Sequence, residues 1–70
     1  MPGEQTRRLL RVEGTTGVVS ENAIRRDVFE IEGVRELEID LTSGWVDVVG
    51  DASAVDRAVD AIRELGYRVR

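Results

Sequence analysis

The stretch VRELEIDLTSGWVDVV, residues 34–49, decides the fold because it contains two strands and the turn that joins them. Apolar and acidic residues alternate through its first half, a period of two that is typical of a strand with one buried face. The residues TSG (42–44) favour a tight turn. Val46 and Val48 then point to the buried side again, so the stretch predicts an antiparallel hairpin. In its first strand, one face carries Leu37, Ile39 and Leu41, and the opposite face carries Glu36, Glu38 and Asp40.

The segment before the hairpin predicts a strand followed by a helix. In RLLRVEG (8–14), Leu10 and Val12 lie on one side of a strand. Ser20 is a favourable N-cap for the helix, and Gly33 is a favourable residue to end it. The apolar stripe of this helix is Ile24, Val28 and Ile31.

The segment after the hairpin repeats the order of helix and strand. Asp51 or Ser53 can cap a second helix, and Ser53 with Asp56 resembles a capping box. Gly66 ends that helix, and residues 67–70 form a short last strand. The apolar stripe of the second helix is Val55, Val59 and Ile62, flanked by Ala58 and Leu65.

The element order β-α-β-β-α-β predicts the fold class α+β. We expect a ferredoxin-like βαββαβ sandwich, with a four-stranded antiparallel sheet of order 4-1-3-2 and two helices on one face. Residues 1–7 are expected to be a disordered lead-in, and residues 8–70 a single domain.

The other face of the sheet is then open, and its side chains follow from the alternation in each strand. One edge is basic and the other acidic, with Trp45 between them. Charge pairing across a solvated face explains such a pattern, and so does a surface that binds protein. The outward residues, strand by strand, are Arg68 and Arg70; Leu9, Arg11 and Glu13; Trp45, Asp47 and Val49; Glu36, Glu38 and Asp40.

The composition excludes several function classes. The 70 residues include no cysteine and no histidine, which removes disulfides, thiolate metal sites and imidazole bases. Without such a base no serine is activated, so we expect no enzyme. The net charge of −4 disfavours nucleic acid as a partner. No apolar stretch predicts membrane insertion, and we expect a cytoplasmic location. Whether the chain is a piece of a longer protein is left open.

Several short motifs, in order and spacing, resemble one known family. They are VEG (12–14), FEIEGV (29–34), IDLTSGWVDV (39–48), GDAS (50–53) and AIRELGY (61–67). Over residues 8–70 the chain resembles the heavy-metal-associated (HMA) domain, which includes small copper chaperones and modules of heavy-metal-transporting P-type ATPases. The resemblance implies the same ferredoxin-like fold and a relation to metal trafficking.

The metal motif of that family, G-M-x-C-x-x-C, corresponds to residues 14–20. Gly14 matches, but Gly17 and Ser20 stand at the two cysteine positions. Thiolates are the ligands that soft Cu(I) prefers, and neither glycine nor a serine hydroxyl replaces them. We therefore expect no metal site and no cofactor. Natural loss and replacement by design of the two cysteines both remain open.

The candidate sites are therefore surfaces rather than catalytic groups. Thr15, Thr16 and Ser20, at the start of the first helix, could bind an anion, although ordinary capping is the simpler explanation for Ser20. Tyr67, which the resemblance places near the metal loop, is also explained by core packing. Phe29 lies off the apolar stripe of its helix. The candidate interaction residues are Val18, Val19, Trp45, Val49, Phe29 and Tyr67.

Three hypotheses about function follow. The first is a non-catalytic interaction or regulatory module, HMA-like but without the thiolate site. The second is a metal-transport domain whose ligands are replaced, or are supplied by a partner protein. The third is a structural module that self-associates through the open sheet face.

Overall fold

The chain folds into one sheet covered by two helices. The computed structural model describes residues 5–14 and 17–70, with the backbone alone for residues 17–20. The strand order is β2-β3-β1-β4, and the paired strands are antiparallel. The predicted fold class and strand order are confirmed. The elements are β1 (Gln5–Glu13), α1 (Gly17–Phe29), β2 (Val34–Asp40), β3 (Trp45–Asp51), α2 (Ala52–Glu64) and β4 (Arg68–Val69).

The core lies between the helices and one face of the sheet. Most inward positions of the strands and most stripe positions of the helices are buried as predicted, whereas Ile31, Ile39 and Leu41 are half-buried and pack against the core. Fully burying one such aliphatic side chain contributes about 1.5–3 kcal/mol, which is why these positions determine the fold. The core side chains larger than alanine are Leu10, Val12, Ile24, Val28, Leu37, Val46, Val48, Val55, Val59 and Ile62.

The ends of α1 differ from the predicted ones. The helix begins at Gly17, so Ser20 lies in its first turn and the prediction of Ser20 as the N-cap is wrong. It ends at Phe29, and Ile31 packs on the core from the turn that follows. Gly33 does not end the helix but lies in that turn, directly before β2, with φ of 103°.

The start of α2 resolves an alternative that the sequence left open. The helix begins at Ala52, so Asp51 is the N-cap residue, without a hydrogen bond from its side chain. Ser53 lies inside the first turn, so Ser53 as a cap, and the capping box with Asp56, are wrong.

Strand β1 extends further towards the N-terminus than predicted. Residues Gln5–Arg7, expected in the lead-in, pair with β3, and Gln5 stands opposite Asp51. On the helix side, Arg8 forms an ion pair with Asp56 of α2, at 3.2 Å between Nη1 and Oδ1. Both α-helices have 13 residues, and no helix in the described ranges is long and apolar enough to cross a bilayer.

The turn of the β2–β3 hairpin is closed by Asp40. Its carboxylate oxygen Oδ1 accepts hydrogen bonds from the backbone N–H groups of Thr42 (3.1 Å) and Ser43 (3.4 Å). Its carbonyl accepts one from the Gly44 N–H at 2.9 Å. The side chain thus supplies an acceptor to backbone groups that would otherwise point into the turn.

Replacing Asp40 should loosen this turn. We expect Asp40→Ala to lower the free energy of unfolding by about 1 kcal/mol, because two backbone donors lose their acceptor. Asp40→Asn keeps an oxygen at the same place and should cost clearly less. Urea unfolding followed by circular dichroism measures both, and equal losses for the two variants would contradict this role.

Candidate functional site

The connection from β1 to α1 is the place where the family motif would bind metal. Gly14 directly follows β1, which ends at Glu13, and α1 begins at Gly17. Thr15 and Thr16 lie outside the described residues, as do the side chains of Val18, Val19 and Ser20. The predictions of an anion site and of exposed valines at this connection therefore remain predictions.

Tyr67 lies directly beside this connection. Its ring carbon Cδ1 is 3.7 Å from the place that a Cβ atom on Gly14 would occupy. The ring is half-buried and packs on the core. Next to it, Glu13, Gly14, Gly66 and Arg68 line a shallow groove of about 250 Å³. Tyr67 thus has a packing role, and an interaction role remains a prediction.

The donor chemistry of the chain does not fit a soft metal ion. The full sequence has neither a cysteine nor a histidine. Among the described residues, no three carboxylates lie close enough together to hold a metal ion. Because Cu(I) selects thiolate and thioether ligands, the residues present do not reproduce the site that the family motif encodes.

The open sheet face carries exposed apolar side chains. Leu9 is 57% exposed and Trp45 is 36% exposed, and Val49 beside them is half-buried. The guanidinium carbon of Arg11 lies 5.3 Å from the centroid of the Trp45 ring, which is a cation–π contact. The sequence placed Arg11 and Trp45 on this face, but the contact between them needed the register of β1 with β3.

Charges on this face are separated by strand. The register places Glu36, Glu38 and Asp40 of β2 along one edge, which we call the acidic edge. The opposite side, made by β1 and β4, carries four arginines, which we call the basic side. The members of the basic side are Arg7, Arg11, Arg68 and Arg70.

Two ion pairs neutralise part of this pattern. Arg7 Nε lies 3.1 Å from Asp47 Oδ2, and Arg70 Nε lies 2.9 Å from Glu13 Oε2. Both pairs join neighbouring strands, so the predicted charge pairing across the face is present. None of the three carboxylates of the acidic edge forms an ion pair with a described residue.

A shallow groove adjoins Trp45 on the acidic half of the face. Its volume is about 190 Å³. An indole ring and three carboxylates around one groove form a surface suited to a cationic side chain. The lining residues are Leu9, Glu38, Ile39, Asp40, Trp45 and Asp47.

Phe29 is the other exposed aromatic residue among those described. It is the last residue of α1 and is 48% exposed, so it does not tuck under a neighbouring loop. It belongs to the helix layer and not to the open sheet face, so the structure does not bring it together with Trp45 and Val49.

Comparisons with solved structures agree with the fold. The chain is similar to a putative copper-ion-binding protein from Bacillus anthracis, with 31% identity and a TM-score of 0.87 over 97% of this chain and 99% of that chain. It is similar to the CopZ metallochaperone, with 31% identity and a TM-score of 0.83 over 93% and 100% of the two chains. For apo-CopP from Helicobacter pylori the identity is 27% and the TM-score 0.79, over 93% and 100%.

Sequence comparison gives the family. No curated protein matches the chain. The family model described as the heavy-metal-associated domain matches residues 9–68, which include β1 from Leu9 onward, both helices and the hairpin. The chain therefore belongs to the heavy-metal-associated domain family, whose members among the similar structures include copper-trafficking proteins.

Proposed function

We propose that this domain is a non-catalytic interaction module, related to copper-trafficking proteins, that does not itself bind the soft metal ion. One observation carries the proposal. The described elements on both sides of the motif position have the HMA fold, with Tyr67 beside Gly14, yet Gly17 and Ser20 stand where two thiolates are needed. Without the two thiolates, the features of this fold that remain available for a function are its exposed surfaces, and such surfaces are what a partner protein would bind.

Relatives give the proposal its context. The similar structures include a metallochaperone and a copper binding domain from a P-type ATPase. We infer that this domain works beside proteins of this kind, as a regulatory or structural contact rather than as a carrier. The cytoplasmic location belongs to the same proposal, and fractionation of cells that express the tagged chain would check it.

A competition titration with Cu(I) tests the loss of metal binding. The protein is titrated under reducing, oxygen-free conditions against a coloured Cu(I) chelator, beside a family member that carries both motif cysteines. We expect the control protein to take Cu(I) from the chelator and this chain to leave the chelator complex unchanged, because hydroxyl and carboxylate oxygens are poor Cu(I) ligands. Removal of Cu(I) by this chain to the extent seen for the control would contradict the proposal.

A further inference from the structure

The open sheet face is complementary to itself. The acidic edge carries three carboxylates on β2, and the basic side lies two and three strands away on β1 and β4. After the pairs of Arg7 with Asp47 and of Arg70 with Glu13 are set aside, Arg11 and Arg68 remain on the basic side without an ion pair to a described residue. The face therefore has a negative half and a positive half.

We propose that this face binds a second copy of the same chain, in a two-fold dimer whose axis runs parallel to the strands between β1 and β3. Rotation about that axis exchanges the two sides of the sheet. The acidic edge of each copy then lies opposite the basic side of the other. An axis perpendicular to the strands within the interface would instead place acidic edge on acidic edge, which repulsion disfavours.

The register predicts which residues meet. Asp40, Trp45, Arg11 and Arg70 form one row across the sheet. Rotation about the proposed axis places Arg70 of one copy opposite Asp40 of the other, and Arg11 opposite Trp45. The groove beside Trp45, with its carboxylates, is where the Arg11 guanidinium, which has no ion pair to a described residue, would enter. Arg70 would exchange its Glu13 partner for Asp40 of the other copy. Arg11 already contacts its own Trp45 at 5.3 Å, so the same chemistry recurs between copies.

The exposed apolar residues lie near the axis. Leu9 and Trp45 belong to the two central strands and are 57% and 36% exposed. Contact between copies would remove both from water, together with Val49. Apolar residues at the centre with charges around them are the usual arrangement of a protein interface.

The size of the face sets the strength of the contact. Strands β1, β2 and β3 have 9, 7 and 7 residues, and β4 adds 2 residues at one edge. With strands about 4.8 Å apart, the face has an area on the order of 400 Å² per copy. A standard interface buries about 800 Å² per partner. We therefore expect a weak dimer, with a dissociation constant in the range of about 10 μM to 1 mM. This inference goes beyond the proposed function, because two copies can associate whether or not the domain binds metal.

Sedimentation velocity on charge-reversal variants is the test. Wild-type protein is examined from about 10 μM to about 1 mM, where an average mass that rises with concentration is expected. Glu36→Arg/Glu38→Arg leaves Asp40 as the single carboxylate of the acidic edge, and Arg7→Glu/Arg11→Glu replaces two of the four arginines of the basic side. Each variant therefore weakens the attraction between the negative half of one copy and the positive half of the other. We expect each alone to raise the dissociation constant at least about tenfold. An equimolar mixture of the two should associate again, because in the mixed dimer the new arginines on β2 of one copy lie near the new carboxylates on β1 of the other.

The controls separate the contact from folding. Circular dichroism confirms that each variant is folded before sedimentation. Trp45→Ala should weaken association, whereas Phe29→Ala, which changes a more exposed aromatic residue outside the face, should leave it unchanged. Three results would overturn the proposal: a wild-type chain that stays monomeric throughout the range, reversal variants that associate as the wild type does, or a mixture that fails to associate.

Discussion

The double variant Gly17→Cys/Ser20→Cys is expected to gain tight Cu(I) binding, several orders of magnitude above that of the wild-type chain. The two positions lie three residues apart in the first turn of α1, so they share one side of the helix. Thiols at a helix N-terminus have a lowered pKa, and two thiolates there form the ligand set that Cu(I) prefers. Competition with a coloured Cu(I) chelator gives the affinity.

Matched controls decide whether the position matters or merely the thiols. Arg57→Cys/Asp60→Cys places two cysteines with the same spacing on exposed positions inside α2, away from a helix N-terminus. The single variants Gly17→Cys and Ser20→Cys supply one thiol each. If the Arg57/Asp60 pair binds Cu(I) as tightly as the Gly17/Ser20 pair, the connection before α1 has no retained site geometry and this prediction fails.

Alternation predicted the sheet well because one buried face fixes the register of a strand. A shift by one residue would turn Val46 and Val48 into solvent and Trp45 and Asp47 into the core, at a large cost in buried apolar area. The strand order followed from the short connections and the handedness of the crossovers. The start of β1 was less predictable, because Gln5–Arg7 contain no apolar alternation and are held by pairing with β3.

Helix ends were predicted less well than helix faces. A capping hydrogen bond contributes only about 1 kcal/mol to stability, and a serine inside a helix costs only a few tenths of a kcal/mol. Ser20 and Ser53 are therefore compatible with positions within the first turn, where the structure places both. The candidate site was predictable only as an absence of ligands, whereas the contact of Arg11 with Trp45 depends on strand pairing that composition does not encode.

Gly33 and Gly50 approach each other closely, so an added side chain at Gly50 should destabilise the fold strongly. Gly50 of β3 is buried, and it stands opposite Val34, the first residue of β2, directly after Gly33 in the preceding turn. A Cβ atom on Gly50 would overlap the Gly33 carbonyl oxygen and lie 3.0 Å from Val34 Cα. The same carbonyl accepts a hydrogen bond from the Asp51 N–H at 3.1 Å, so it cannot move away without losing that bond. We expect Gly50→Ala to lower the free energy of unfolding by about 3 kcal/mol.

That loss would be a large part of the total, because a domain of 70 residues has a stability of roughly 4–10 kcal/mol. Urea unfolding followed by circular dichroism measures it. Gly66→Ala is the control: φ is 102° there and nothing lies within 4 Å of the added atom, so only backbone strain of about 1–2 kcal/mol is expected. Gly50 has no positive φ, and alanine without a clash would stabilise a strand by about 0.5–1 kcal/mol. A Gly50→Ala variant as stable as the wild type would therefore contradict this prediction. It would show that the backbone at Gly33 moves away from β3 at little cost in free energy.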